Sequence, residues 1–205
     1  MVIIDHHEYT DLDRAHVGKS RRSLPSSLEQ FLKLFRFTDA KLKALGFDPK
    51  MVRGVGIMDR GFVWELKKEG WSWKEITALI AYQEALMSEV RNRANEEEKM
   101  AAVRKIWDDR KPWKGYFIVE GDTDMSLRVR VSLVAALDRK KPTPLIMNEK
   151  GRGFIYVQDS DAGQALFDRF GGFTFGSLPN WGYKNAGAKK KVSLEEVKGF
   201  LSKKA

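Results

Sequence analysis

Asp5, His6, His7 and Glu8 stand in a row directly after Val2-Ile3-Ile4, and these two histidines with His16 are all that the 205-residue chain contains. A carboxylate beside a neutral imidazole at the end of an apolar run suits a hard or borderline divalent ion such as Mn²⁺, Mg²⁺ or Zn²⁺. The carboxylate supplies charge and the imidazole a directional nitrogen. A second histidine on the same turn can hydrogen-bond a phosphate or steady a ligand. The same residues would equally serve as a solvated loop or as hydrogen-bonded core histidines, and the spacing alone leaves those alternatives open.

Two apolar runs are expected to position this chemistry. Val2-Ile3-Ile4 reads as a strand end that delivers Asp5 to the carboxyl edge of a sheet, where open α/β sheets gather their functional groups. Val52 to Met58, interrupted by Gly54 and Gly56, reads as a second strand ending at Asp59-Arg60-Gly61. Helices are punctuated by three capping boxes, Ser26 with Glu29, Ser72 with Glu75, and Ser193 with Glu196. A helix over Asp39 to Leu45 stops at Gly46, and Phe62 to Lys68 is expected to be helical. From Ser72, a stripe through Ile76, Leu79, Ile80, Leu86, Met87 and Val90 predicts a long helix reaching Trp107. The charged residues 92–98 are its expected break.

Past Pro112 the pattern changes. Tyr116 to Val119 reads as a strand and Met125 to Leu137 as a helix. Leu145 to Met147 and Phe154 to Val157 read as strands around a turn, and Ala162 to Phe170 as a helix. The following GGFTFGSLPNWGYKNAG is rich in glycine and aromatics, which suits a packed aromatic corner around glycine turns. The expected organisation is an α/β region over 1–71, a helical linker over 72–111 and a smaller α/β domain over 112–205.

The chain carries 37 Lys and Arg against 28 Asp and Glu, a formal net charge of +9, which favours polyanionic partners. Part of the excess is the tail, Lys189, Lys190, Lys191, Lys198, Lys203 and Lys204. With no cysteine, disulfides, thiolate metal sites and a cysteine nucleophile are excluded, which fits a reducing cytoplasm. No membrane-spanning run and no secretory signal are read.

The run Ile3-Ile4-Asp5-His6-His7 resembles the signature of the DHH phosphoesterase superfamily, whose members include single-strand exonucleases, oligonucleotide and cyclic-dinucleotide phosphodiesterases and family II pyrophosphatases. The resemblance implies a partial DHH-type sheet with flanking helices. It implies Mn²⁺ (or Mg²⁺) ligated by Asp5 and His6, and His7 beside the substrate phosphate. Gly54-Val55-Gly56-Ile57-Met58-Asp59 resembles a later motif of the family, which makes Asp59 a further ligand, with Arg60 offsetting phosphate charge. The second half is similar to the smaller DHH-associated domain, whose glycine-rich loop grips the substrate. Gly171 and Gly172 would be its counterparts, with Lys184 as a phosphate contact and Arg169, Asn180 and Trp181 nearby.

The family's acidic motifs ahead of the signature have no counterpart here. Asp11 with Asp13, and Asp122 with Asp124, share only their spacing. A second ion would take its carboxylates from a homodimer partner, another chain or an upstream segment. The expected function is therefore metal-dependent hydrolysis of a nucleotide or short oligonucleotide. The alternatives are a catalytically inactive DHH-like module that binds nucleic acid or a nucleotide, and a subunit of a larger assembly.

Overall fold

The computed structural model describes Ile4 and residues 25–88, 93–176 and 180–203. The chain divides into two compact units, 1–91 and 92–205. Among the described residues it is a mixed α/β protein of eight helices and one six-stranded sheet.

The described part of the first unit is helical: α1 (Ser27–Leu34), α2 (Asp39–Ala44), α3 (Pro49–Lys68) and α4 (Trp73–Ser88). Each start follows from a side-chain cap. Ser26 and Glu29 exchange bonds at α1, Ser26 N–H donating to Glu29 Oε2 at 2.8 Å and Glu29 N–H to Ser26 Oγ at 3.3 Å. Thr38 Oγ1 accepts from Lys41 N–H at α2, and Asp48 Oδ1 accepts from Lys50 and Met51 at α3. Ser72 and Glu75 form the same reciprocal box at α4. Leu42, Val63, Trp64, Leu66, Trp71, Ile76 and Leu79 are buried.

The strand expected over Val52 to Met58 is instead the middle of α3. Asp48 caps this helix and Pro49 supplies the pre-set φ of its first turn. The two glycines serve close packing, not strand breakage. A Cβ on Gly54 would lie 2.6 Å from the Trp71 ring, and one on Gly56 2.8 Å from Glu29 Cγ. The helix kinks at Gly61 and Phe62, where Phe62 takes φ 58° and ψ −160°, a strained conformation for a side-chain-bearing residue.

The second unit comprises α5 (Arg93–Asp108), β1 (Lys111–Trp113), β2 (Tyr116–Gly121), α6 (Arg128–Arg139), β3 (Leu145–Glu149) and β4 (Phe154–Gln158). It continues through α7 (Gly163–Phe170), β5 (Phe173–Phe175), β6 (Asn180–Lys184) and α8 (Leu194–Leu201). The strand order is β1-β2-β3-β4-β6-β5. Only β2 and β3 pair in parallel, with α6 as their crossover; the other neighbours are antiparallel. The break expected within 92–98 does not fall at residues 93–98, which are continuous helix in α5.

Side chains alternate across the sheet and build a core on each face. One joins Val103 and Trp107 of α5 and Leu127, Val131 and Ala135 beside and within α6 to Val119, Leu145, Met147 and Tyr156. The other joins Leu166 of α7 and Val197 and Leu201 of α8 to Ile118, Ile146, Ile155, Val157 and Trp181.

The segment rich in glycine and aromatics supplies β5 and β6, strands its glycines conceal. Gly182 disguises the second strand, but its lack of a side chain is what the packing uses. A Cβ there would fall 2.6 Å from the Phe173 ring and 2.9 Å from Tyr156 Cδ1.

Candidate nucleic-acid interface

On the α6 face of the sheet, β4 and β5 carry aromatics at every second position. Phe154 and Tyr156 project from β4, Phe173 and Phe175 from β5, and Gly182 of β6 lies between them in register with both Tyr156 and Phe173. The β4 rings are stacked, 5.5 Å apart and 6° from parallel. Tyr156 meets Phe173 and Phe175 edge-on at 6.3 and 6.1 Å. Tyr156 is buried, whereas Phe154, Phe173 and Phe175 keep part of their surface open.

Three cations stand over these rings. The Arg128 guanidinium lies 4.3 Å from the Phe175 centroid and 5.5 Å from that of Tyr156. Arg152 lies 4.8 Å from Phe154, and Lys184 Nζ 5.9 Å from the same ring. Such contacts favour the charged form and preorganise the cation without neutralising it.

Glu149 holds this arrangement together. It is 1% exposed. Its Oε1 accepts from the backbone N–H groups of Leu127 and Arg128 at 3.0 and 2.8 Å, which caps the start of α6. Its Oε2 accepts from Arg152 Nη1 at 2.5 Å. The carboxylate is thereby committed to one helix end and one arginine. Among the described residues, no carboxylate lies within salt-bridge distance of the Arg128 guanidinium.

The electrostatics follow from that division. Burial pushes the Arg128 guanidinium below its ordinary range and the Arg152 charge adds to this, with Tyr156 and Glu149 acting against it. Burial and then the Glu149 carboxylate raise the Tyr156 hydroxyl, opposed by Arg128 and Arg152. A half-buried arginine so placed gains by meeting an incoming anion.

The residues singled out in the sequence are distributed otherwise. Asp5, His6 and His7 lie outside the described residues. Asp59 is exposed on α3, and among the described residues no group of three or more His, Asp or Glu side chains comes together to hold a metal. Arg60, 13% exposed, donates from Nη1 to Glu29 at 2.9 Å and from Nη2 to Glu69 at 2.7 Å, and its Nε is 3.7 Å from Glu65. It ties α1 to α3.

Gly171 and Gly172 form the turn from α7 into β5, with φ of 73° and 90°. The Gly171 carbonyl accepts from Trp181 Nε1 at 2.7 Å, and Gly172 packs so closely that a Cβ would sit 2.3 Å from the Gly182 carbonyl oxygen. Lys184 alone of the expected contacts stands in the aromatic and basic cluster. A separate depression of about 430 Å³, lined by Asn148, Asn185, Lys191 and Ser193, also includes Lys150, whose Nζ is paired with Glu120 at 2.8 Å.

Sequence reasoning passed over Arg128, Arg152 and the four aromatic residues. The signal was present as alternation, Phe154-x-Tyr156 directly after Arg152-Gly153 and Phe173-x-Phe175 after the glycine pair. No protein-family model, curated protein or solved structure matches the chain.

Proposed function

We propose that this protein binds nucleic acid through the β4–β6–β5 face of its second unit. The observation that carries the reading is Arg128, a half-buried guanidinium stacked on Phe175, without a carboxylate partner among the described residues, and flanked by Arg152 and Lys184. Phosphate supplies the missing counter-charge, and the +9 net charge draws polyanions to the molecule.

The test is fluorescence anisotropy with a labelled oligonucleotide over a range of salt concentrations. For the wild type, log K falls linearly with log salt. Arg128→Gln and Lys184→Gln each weaken binding and make the slope shallower by about one for each phosphate the side chain no longer meets. Salt-insensitive binding, or variants with the wild-type slope, would contradict the proposal.

The metal-dependent phosphoesterase remains a second reading, favoured by the signature Asp5-His6-His7 after Val2-Ile3-Ile4. On that reading Asp5, His6 and Asp59 hold Mn²⁺ (or Mg²⁺), His7 meets the phosphate, and a second copy or partner chain completes the ligand set. The second unit would then correspond to the smaller associated domain. Calorimetry with Mn²⁺ decides it: binding abolished by Asp5→Ala supports the enzyme, and no heat from the wild type removes it.

A further inference from the structure

We infer that the aromatic face selects single-stranded nucleic acid over duplex, with consecutive bases laid across β4 and β5. This deepens the proposed nucleic-acid reading and rests on it.

The argument begins with what the rings offer. Phe154 on β4 and Phe173 with Phe175 on β5 are separated by one intervening strand, so the platform is about two strand spacings wide, roughly 10 Å. Strand β6 contributes Gly182 at the centre, opposite both Tyr156 and Phe173. The middle of the face is therefore backbone covered by the Phe173 and Tyr156 rings. Each edge pairs a ring with a cation, Phe154 with Arg152 and Lys184, and Phe175 with Arg128. Tyr156 joins the two sets, stacked with Phe154 and edge-on to Phe175.

A polyanion held by charge alone needs cations but no rings. Partly exposed phenylalanines add affinity for a ligand that presents apolar faces, and flat ones fit them best. Bases in a duplex are stacked on each other and hide those faces, while a single strand can splay them onto aromatic rings or guanidinium planes. Two ring-and-cation sets across about 10 Å match two or three nucleotides of an extended strand.

Arg128, with no carboxylate within salt-bridge distance among the described residues, takes the phosphate between the bases. Arg152, already bonded to Glu149, serves chiefly as a planar surface over Phe154. Stacking is tolerant of base identity, so the inferred preference is for strandedness and not for sequence.

The experiment measures a labelled twelve-nucleotide single strand and the same sequence as a blunt duplex, with poly-glutamate as a competitor. Phe154→Leu and Phe175→Leu keep apolar volume at these positions and are run alongside, with thermal melts to verify folding. The expected result is single-strand binding at least tenfold tighter than duplex binding. Each leucine variant reduces that ratio several-fold, weakening single-strand binding more than duplex binding. Equal affinity for the two forms, with a normal salt slope, overturns the single-strand inference and leaves the nucleic-acid reading standing. Equal competition by poly-glutamate overturns both in favour of an acidic peptide, and absence of binding to either oligonucleotide overturns both outright.

Discussion

At the residue scale the second unit turns on Glu149. A carboxylate this deeply buried is tolerated because both of its oxygens are engaged: Oε1 by two backbone donors at the head of α6 and Oε2 by the Arg152 guanidinium. Glu149→Ala leaves those donors unsatisfied and is expected to lower stability by about 3 kcal/mol. Urea denaturation measures it, and a loss below about 1 kcal/mol would show that water replaces the carboxylate freely. Glu149 was legible in the sequence only as part of a turn, since nothing local marks a strand-end glutamate as the cap of a helix 21 residues earlier. In the sequence Arg60 reads as a charge that could offset phosphate. In the structure it is surrounded by Glu65 and Glu69, beside it in the same helix region, and by Glu29, brought in when α1 folds against α3.

At the element scale, local chemistry was a reliable guide where the signal is contained in a few consecutive residues. All three capping boxes form as their spacing requires, the last with Ser193 and Glu196 bonded reciprocally at α8. Strands β2, β3 and β4 follow their apolar runs. Glycine misled in both directions because its role here is set by what packs on it. In α3 it admits the Trp71 ring to a helix that reads as a strand. In β6 it lets Tyr156 and Phe173 close over a strand that reads as a turn.

The Gly172 turn gives a direct test of this scale. Its φ of 90° disfavours any side chain, and the clash would be with the Gly182 carbonyl, a backbone atom fixed by the sheet. Gly172→Ala is therefore expected to cost about 2 kcal/mol or more, read by thermal or urea unfolding, and to displace Phe173 from the platform. A neutral result would mean that β5 shifts freely on β6. By contrast, Ser26→Ala removes one cap bond and is expected to cost about 1 kcal/mol.

At the scale of the whole molecule, the site lies where one face of the second unit's sheet is aromatic and basic together. The sequence displayed the positive charge and the aromatic residues but not their coincidence, which depends on the order β4-β6-β5. The surface also predicts a pH response. Lys50 and Ser72 hold the Glu75 carboxyl down to about 2, and Lys150 and Arg53 lower Glu120 and Asp39 respectively. Because these folded-state values lie below the unfolded ones, their contribution is complete above the ordinary carboxylate range and is lost as pH falls through the folded values. The melting temperature is expected to hold from about pH 7 to 5 and to fall between roughly pH 4.5 and 2, less steeply at high salt. A midpoint unchanged down to pH 2 would contradict the assignment.

The measurement that addresses the central claim most directly is ultraviolet cross-linking of a bound oligothymidylate, followed by peptide mass spectrometry. The account predicts adducts on Phe154, Phe173 or Phe175, lost when Arg128→Gln weakens binding. Adducts confined to the first unit, around α3 or Asp5 to His7, would contradict it and place the nucleic acid elsewhere on the chain.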